Sequence, residues 1–234
     1  MKTFIKKLIK FFIRNITGPF WGDSYIISMK PYSRKFGADR GLPIDRFFIQ
    51  EFLKSNANFI TGRVAEIGDD FYTIHYGKNI DCSIVLAGSG IKADSSYACD
   101  LTNPESYSFH NSFNCIICTN VLKFILYHDS AIKGLARLTD KNNGICLVTV
   151  AGLCNISRYD HERWGDYWRF TDLSIKLLFE KYFETVEIGT YGNAPVAASF
   201  IMGLSYEDLS KELFNKNDPD YQVIITVIAS NPNV

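Results

Sequence analysis

Apolar residues along the middle of the chain come in short blocks, each closed by glycine or polar residues. RVAEIG predicts a short buried strand stopping at Gly68, and residues from about Asp81 to Leu86 predict a second. SSYACDLT holds a third short strand, and FNCIICTN a fourth, continuously apolar one that ends in polar residues. VLKFILYHDSAIKGLARL then reads as helical, and NNGICLVTVAG as a turn entering a fifth strand. Short apolar strands divided by helices or loops call for a parallel sheet covered on both faces. Downstream, DLSIKLLFEKYF reads as a helix, TVEIGTYG as a strand and YQVIITVIAS as a last, strongly β-branched strand. Upstream, DRFFIQEFLKSN predicts a helix capped by Asp45, with Phe47, Phe48, Phe52 and Leu53 on its apolar side. The pattern defines the α/β class.

Composition narrows the partners. A chain of 234 residues without repeats or a Pro/Ser-rich linker fits one domain, here 17–234, preceded by a basic segment, 1–16. The chain is 47% hydrophobic, enough for a sizeable core, and Lys+Arg and Asp+Glu both number 25. No global basic field exists to hold a nucleic-acid backbone, so no nucleic-acid partner is expected. In the first residues, Lys6, Lys7, Lys10 and Arg14 break the apolar run, which excludes a signal-peptide core or a membrane span there. On a helix, Phe4, Ile5, Leu8, Phe11 and Phe12 gather opposite much of the cationic charge. Such a helix lies in an anionic membrane interface or docks on its own domain or a second subunit. Free cysteines outside any disulfide framework suit the cytoplasm, with the basic helix as a peripheral contact to the inner membrane face. Cys115 and Cys118 form a C-x-x-C inside a strand, where residues three apart face opposite ways. Structural burial is therefore preferred over metal or redox use, and no metal is expected.

Four stretches carry candidate chemistry. RVAEIGDD ends a strand in an acid and a glycine, which lets a ligand approach backbone at a strand-to-helix turn. Asp100 ends the third strand, and Thr119 and Asn120 end the fourth. In open α/β sheets the ligand crevice lies at that edge. Most specific is SRYDHERWGDYWRFT, 157–171, after the fifth strand. So dense a set of Trp, Tyr, Arg, Asp and His is costly to bury and typical of a functional loop.

These strings, with GADRGLPIDRFFIQEFL, ADSSYACDLTNPES and DPDYQVIITV, resemble class I S-adenosylmethionine-dependent methyltransferases often encoded with bacterial glycan and surface-polysaccharide pathways. The likeness runs in family order over about 35–229. It implies a Rossmann-like three-layer sandwich, with a seven-stranded, mostly parallel sheet and an antiparallel last strand. It also implies S-adenosylmethionine as cofactor. Glu66, Gly68 and Asp70 would flank its methionine part, Asp100 and Leu101 its adenine, and Thr119 and Asn120 the floor of the methyl-transfer site. The family usually has an acid ending the second strand for the ribose hydroxyls. Ile84–Gly90 here has none, leaving Ser89 for a weaker contact; a lost charge-assisted bond costs about 1.5–3 kcal/mol.

The expected reaction is O-methylation of a saccharide or related small metabolite. A sugar hydroxyl needs help losing its proton, and His161, Asp160 and Asp166 are the candidate bases, His161 having the best-placed ordinary pKa. Trp164, Tyr167 and Trp168 are placed to stack on a sugar or close over the site, and Arg158 and Tyr159 to contact it. Arg169 orients Asp166 or binds a phosphate, and Arg40 and Arg46 meet the methionine carboxylate or an anionic substrate. The loop is expected to line the acceptor pocket and not the adenine pocket. Two alternatives remain: a methyltransferase for a non-sugar small molecule, and a non-catalytic methyltransferase-like subunit, which the missing ribose acid favours. A dinucleotide dehydrogenase ranks last, because neither the phosphate-binding glycine pattern nor the ribose acid is present. Oligomeric state stays open.

Overall fold

The computed structural model describes residues 30–88, 96–106 and 109–234. The expected basic helix over 1–16 and Ser89 lie outside the described residues. The chain divides into two compact units, Met1–Tyr32 and Ser33–Val234, and every element below belongs to the second.

Seven strands form one sheet: β1 (Gly62–Ile67), β2 (Ile80–Ala87), β3 (Ser96–Ala98), β4 (Cys115–Thr119), β5 (Ile145–Ala151), β6 (Phe183–Tyr191) and β7 (Ile224–Pro232). Their order is β3-β2-β1-β4-β5-β7-β6. β7 pairs antiparallel with both β5 and β6, while the remaining pairings are parallel. The last strand is thus inserted between two strands of one direction, inside the sheet and not at its edge.

Helices cover both faces. α1 (Ile44–Ser55), α2 (Phe71–Tyr76) and α6 (Ala194–Ile201) pack on one side, through Phe48, Phe52, Tyr72 and Phe200. α3 (His128–Leu138) and α5 (Asp172–Phe179) pack on the other, through Ile132, Leu135, Ile175 and Phe179. Strand alternation feeds both cores, so Ile116 and Cys118 face one and Cys115 and Ile117 the other. The two thiols of the C-x-x-C therefore lie on opposite faces, and burial pushes Cys118 up to about 12 and Cys115 higher still. They are core residues.

Four elements differ from the sequence reading. Asp45 does not cap α1: the cap position is Pro43, and Asp45 sits in the first turn, its carboxylate accepting from the Arg46 amide and the Asn120 side chain. The long apolar run after β4 is not one helix. A 3-10 turn at Leu122–Phe124 ends in extended backbone at Ile125, and α3 starts only at His128. Ile125, Leu126 and Tyr127 face a cavity at the sheet edge, and that packing outweighs local helix propensity. Two helices were not expected: α4 (Arg158–His161) inside the polar loop, and α6. α6 nevertheless has a readable start, since the Asn193 side chain accepts from Val196 N and a proline occupies the first turn.

β7 supplies both cores, with Ile224 in one and Ile225 and Val227 in the other. Ile225→Ala is expected to lower unfolding free energy by about 2–5 kcal/mol, read in urea denaturation as an earlier midpoint at unchanged slope.

Candidate functional site

The strand order reverses between β1 and β4, and in such sheets the crevice at the carboxyl ends of the strands is where ligands sit. A cavity of about 360 Å³ opens there. Its wall takes Ile67 from β1, Leu86 and Gly88 from the end of β2, Asp100, Leu101 and Thr102 after β3, and Val121 after β4. Four residues of the break before α3, Phe124 to Tyr127, and two of the polar loop, Trp164 and Tyr167, complete it.

The turn after β1 is built around a buried acid. Glu66 is 2% exposed, and its carboxyl accepts from Tyr72 N at 3.1 Å, Thr73 N at 2.8 Å and Thr73 Oγ1 at 2.8 Å. These bonds tie the end of β1 to the first turn of α2. Burial pushes the Glu66 carboxyl up to about 7, and the hydrogen bonds from Thr73 and Tyr72 restrain the rise. Gly68 follows with φ +102°, and no atom lies within 4 Å of where a Cβ would stand. Backbone conformation, not crowding, therefore calls for glycine, and that side of the turn stays open to a ligand. Asp70, half-buried, holds the cap position of α2 without a side-chain cap bond.

Asp100 is exposed, and one of its oxygens accepts from Thr102 N and Oγ1. That turn orients the carboxylate at the cavity wall beside buried Leu101. After β4, Thr119 is half-buried and Asn120 is buried in the left-handed region at φ +55°. Asn120 lines not the large cavity but a narrow crevice behind it, with Asp45, Lys123 and Cys154. The end of β2 offers Ala87 and Gly88, and no acid.

The polar loop divides into an anchor and a rim. Asp166, its side chain fully buried, accepts from Arg169 Nη1 at 2.6 Å, Arg169 Nη2 at 3.0 Å and Ser157 N at 3.0 Å. Burial alone would raise its pKa; the Arg169 bonds and the Ser157 amide outweigh that and hold it below the usual carboxylate range. The structure places Asp166, one of the three candidate bases, as the partner of Arg169. Arg169 also donates to the carbonyls of Asn155 at 2.8 Å and Trp168 at 2.7 Å, so its fork is filled by the protein, not by a substrate phosphate. The Trp168 indole N–H donates to Leu126 O at 3.2 Å, and its ring meets His128 edge-on. Half-buried, it packs against the core beside the loop.

Trp164 and Tyr167 stay 42% and 50% exposed on the cavity wall. They share it with Asp100 and Leu101, the residues expected beside adenine. Asp160 is half-buried and His161 exposed, and neither lies on the cavity wall. Arg158 and Tyr159 are exposed, the latter stacked under the Arg163 guanidinium at 3.5 Å.

Arg40 and Arg46 have protein partners. Arg40 grips Asp208 with two bonds of 2.8 Å, holding that carboxyl far below its ordinary range. Arg46 donates to the Tyr72 hydroxyl at 3.1 Å. Sequence reasoning missed Lys123, only 6% exposed at the same strand end. Its signal was a single lysine inside the apolar run VLKFIL.

The strand order and helix packing define a Rossmann-like α/β protein, with a cavity at the switch between β1 and β4. No family model matches the chain, and no curated protein matches it in sequence. Solved structures do. A chain from the complex between the Haloferax volcanii Trm112 methyltransferase activator and a methyltransferase is 13% identical with a TM-score of 0.50, over 88% of this chain and 100% of that one. A SAM-dependent methyltransferase from Thermotoga maritima is 16% identical at 0.50, over 79% and 92%. The N-methyltransferase NodS from Bradyrhizobium japonicum, solved with S-adenosyl-L-homocysteine, is 12% identical at 0.50, over 82% and 89%. The chain has the fold of these SAM-dependent methyltransferases.

Glu66 gives the turn a pH dependence. Its carboxyl is raised from 4.5 to about 7, so its contribution to stability is complete below pH 4.5 and lost as pH rises through 7. The wild-type melting temperature is expected to fall between pH 5 and 8 relative to that of Glu66→Gln, measured in parallel scans.

Proposed function

We propose that the protein is an S-adenosylmethionine-dependent methyltransferase that methylates a hydroxyl of a small acceptor, a saccharide or related metabolite. The observation that carries the proposal is convergence at the carboxyl edge of the sheet: Asp100 and Leu101 wall the cavity on the switch point, while the open turn at Gly68 and Asn120 follow β1 and β4 on the same edge. The residues present suit the cofactor. Leu86, Leu101 and Ile125 offer an apolar slot for adenine, with Trp164 and Tyr167 beside it. Asp100 uses one carboxylate oxygen in its own turn, and the other remains for the adenine amino group or a ribose hydroxyl. The Glu66 carboxyl underlies the glycine turn, where a cationic ligand would favour its ionised form. Sugar as the acceptor rests on the sequence resemblance.

When bound, the cofactor supplies an electrophilic methyl on a sulfonium. The C–S bond breaks as a C–O bond forms, leaving S-adenosylhomocysteine and one proton. The protein's task is to hold the acceptor oxygen in line and accept that proton. With Asp166 committed to Arg169, His161 and Asp160 are the remaining bases of the loop, both on the short helix α4. The exposed imidazole is free to turn toward an acceptor arriving over Trp164 and Tyr167.

One observation favours a second reading, a non-catalytic methyltransferase-like subunit: β2 ends at Ala87 and Gly88 with no ribose acid. Calorimetry with S-adenosylmethionine and S-adenosylhomocysteine separates the two. Saturable binding weakened at least tenfold by Asp100→Ala supports the enzyme; no binding at millimolar ligand supports the subunit. In the enzyme, His161→Ala is expected to lower turnover by roughly 10²–10⁴-fold with cofactor affinity little changed, as measured by methyl gain in mass spectrometry of candidate acceptors. Near-normal turnover would move the role to Asp160 or to solvent.

A further inference from the structure

We propose that Lys123, Asn120 and Asp45 form an acceptor subsite that selects a substrate carrying an anionic oxygen, carboxylate or phosphate, beside the hydroxyl to be methylated; this rests on the methyltransferase reading above. Lys123 is 6% exposed, yet among the described residues no carboxylate lies within ion-pair distance of its ammonium group. Nζ stands 4.8 Å from the centroid of the Phe124 ring and 5.8 Å from that of Phe36. Two aromatic faces ease the burial of a cation, but they do not replace a hydrogen-bonded counter-ion.

Asn120 shows the complementary deficit. It is 7% exposed, and its Oδ1 has no hydrogen-bond partner. Its Nδ2 donates to Asp45 Oδ2 at 3.3 Å, which settles the orientation of the amide: the flipped form would set two acceptors against each other. The narrow crevice is therefore lined by a carbonyl acceptor without a hydrogen-bond partner and by an ammonium group without an ion-pair partner, whose charge reaches Asp45 through space. Asp166, the next carboxylate, is saturated by Arg169 and the Ser157 amide.

The ligand that answers both deficits donates a proton to Asn120 Oδ1 and offers an anionic oxygen to Lys123. A hydroxyl next to a carboxylate or a phosphoryl group does both. The placement agrees with the reaction, because Asn120 ends β4, adjacent to β1 and its open turn at Gly68. Val121 and Phe124 of the same short segment line the large cavity, so the crevice and the cavity share a wall.

The test uses the full chain saturated with S-adenosylhomocysteine, titrated with sodium acetate or inorganic phosphate against sodium chloride at matched ionic strength. The readout is melting temperature. A saturable rise beyond chloride is expected in the wild type. It should weaken at least tenfold in Lys123→Met and Lys123→Gln and survive in Lys123→Arg, and the stronger of the two anions identifies carboxylate or phosphate. Two variants that remove the charge, and one that keeps it, guard against a folding defect in any single one. Equal responses in wild type, Lys123→Met and Lys123→Gln, or no response beyond chloride, overturn the subsite. Calorimetry on the same samples keeps the two readings apart. Absence of S-adenosylhomocysteine binding overturns the methyltransferase reading and the acceptor role with it, whereas its binding without an anion effect overturns the subsite alone.

Discussion

Burial of both faces of the central strands constrains everything else in this molecule. The β4 and β5 side chains from Cys115 to Cys118 and from Cys146 to Ala151 are all buried, and the backbone between them is engaged in the sheet ladder. A polar group along such a strand is costly unless paired, and Thr149 on β5, whose Oγ1 has no hydrogen-bond partner, is the exception among these side chains. Polar side chains therefore appear where the strands stop. Glu66 and Thr119 stand at the ends of β1 and β4, and Asn120 and Asp100 come just after β4 and β3. Because these strands run parallel, their ends fall on one edge, and residues far apart in the chain meet there. The inserted antiparallel β7 keeps this arrangement intact by closing the sheet between β5 and β6 with a strand that offers apolar residues to both cores.

The second constraint is the ion pair under the polar loop. A buried carboxylate is tolerable only with its hydrogen-bonding capacity filled, and Asp166 achieves this with both arms of Arg169 and a backbone amide. Arg169 extends the tie to carbonyls at Cys154 and Asn155, so both ends of the loop are fixed to one guanidinium. With the ends fixed and Trp168 anchored at Leu126, the intervening residues have one way to go. Gly165, at φ +91° with Tyr167 ring atoms where a Cβ would stand, makes the reversal that places Trp164 and Tyr167 on the cavity. Of the two readings the sequence offers for Arg169, the one that pairs it with Asp166 is the contact seen, and it holds the loop that carries the cavity-lining rings.

Legibility from sequence follows the same division. The strands were readable because burial on two faces forces continuous apolar runs, as in CIICT and ICLVTVA, and glycine or polar residues mark their ends. The strand-end residues were readable as candidates by the same rule. The insertion of β7 was carried by family resemblance, because β-branched composition states that a strand exists and not where it pairs. Pair partners across long separations left no local trace. Nothing near Arg40 announces Asp208, and nothing near Asp45 announces Asn120. Asp166 and Arg169 are three residues apart, yet they lie in irregular backbone where that spacing has no fixed geometry; it favours contact on a helix, not in a loop. The break before α3 was hidden because Phe124, Ile125, Leu126 and Tyr127 are as compatible with a buried helix as with a cavity wall.

Two carboxyls at the site edge face opposite electrostatic situations, and the contrast bears on how the edge can work. Asp166 sits among cationic and amide donors and is fixed as an anion, which suits a group whose task is to hold shape. Glu66 meets three donors but also deep burial, and its titration is moved to near neutrality. A structural acid balanced at that point responds to whatever charge arrives above the glycine turn. A cation there lowers the carboxyl's pKa, strengthens the bonds from Tyr72 and Thr73, and tightens the β1–α2 turn around the ligand. An anion there does the reverse. By charge alone, then, the buried acid would favour a cation over an anion at the approach that Gly68 leaves open.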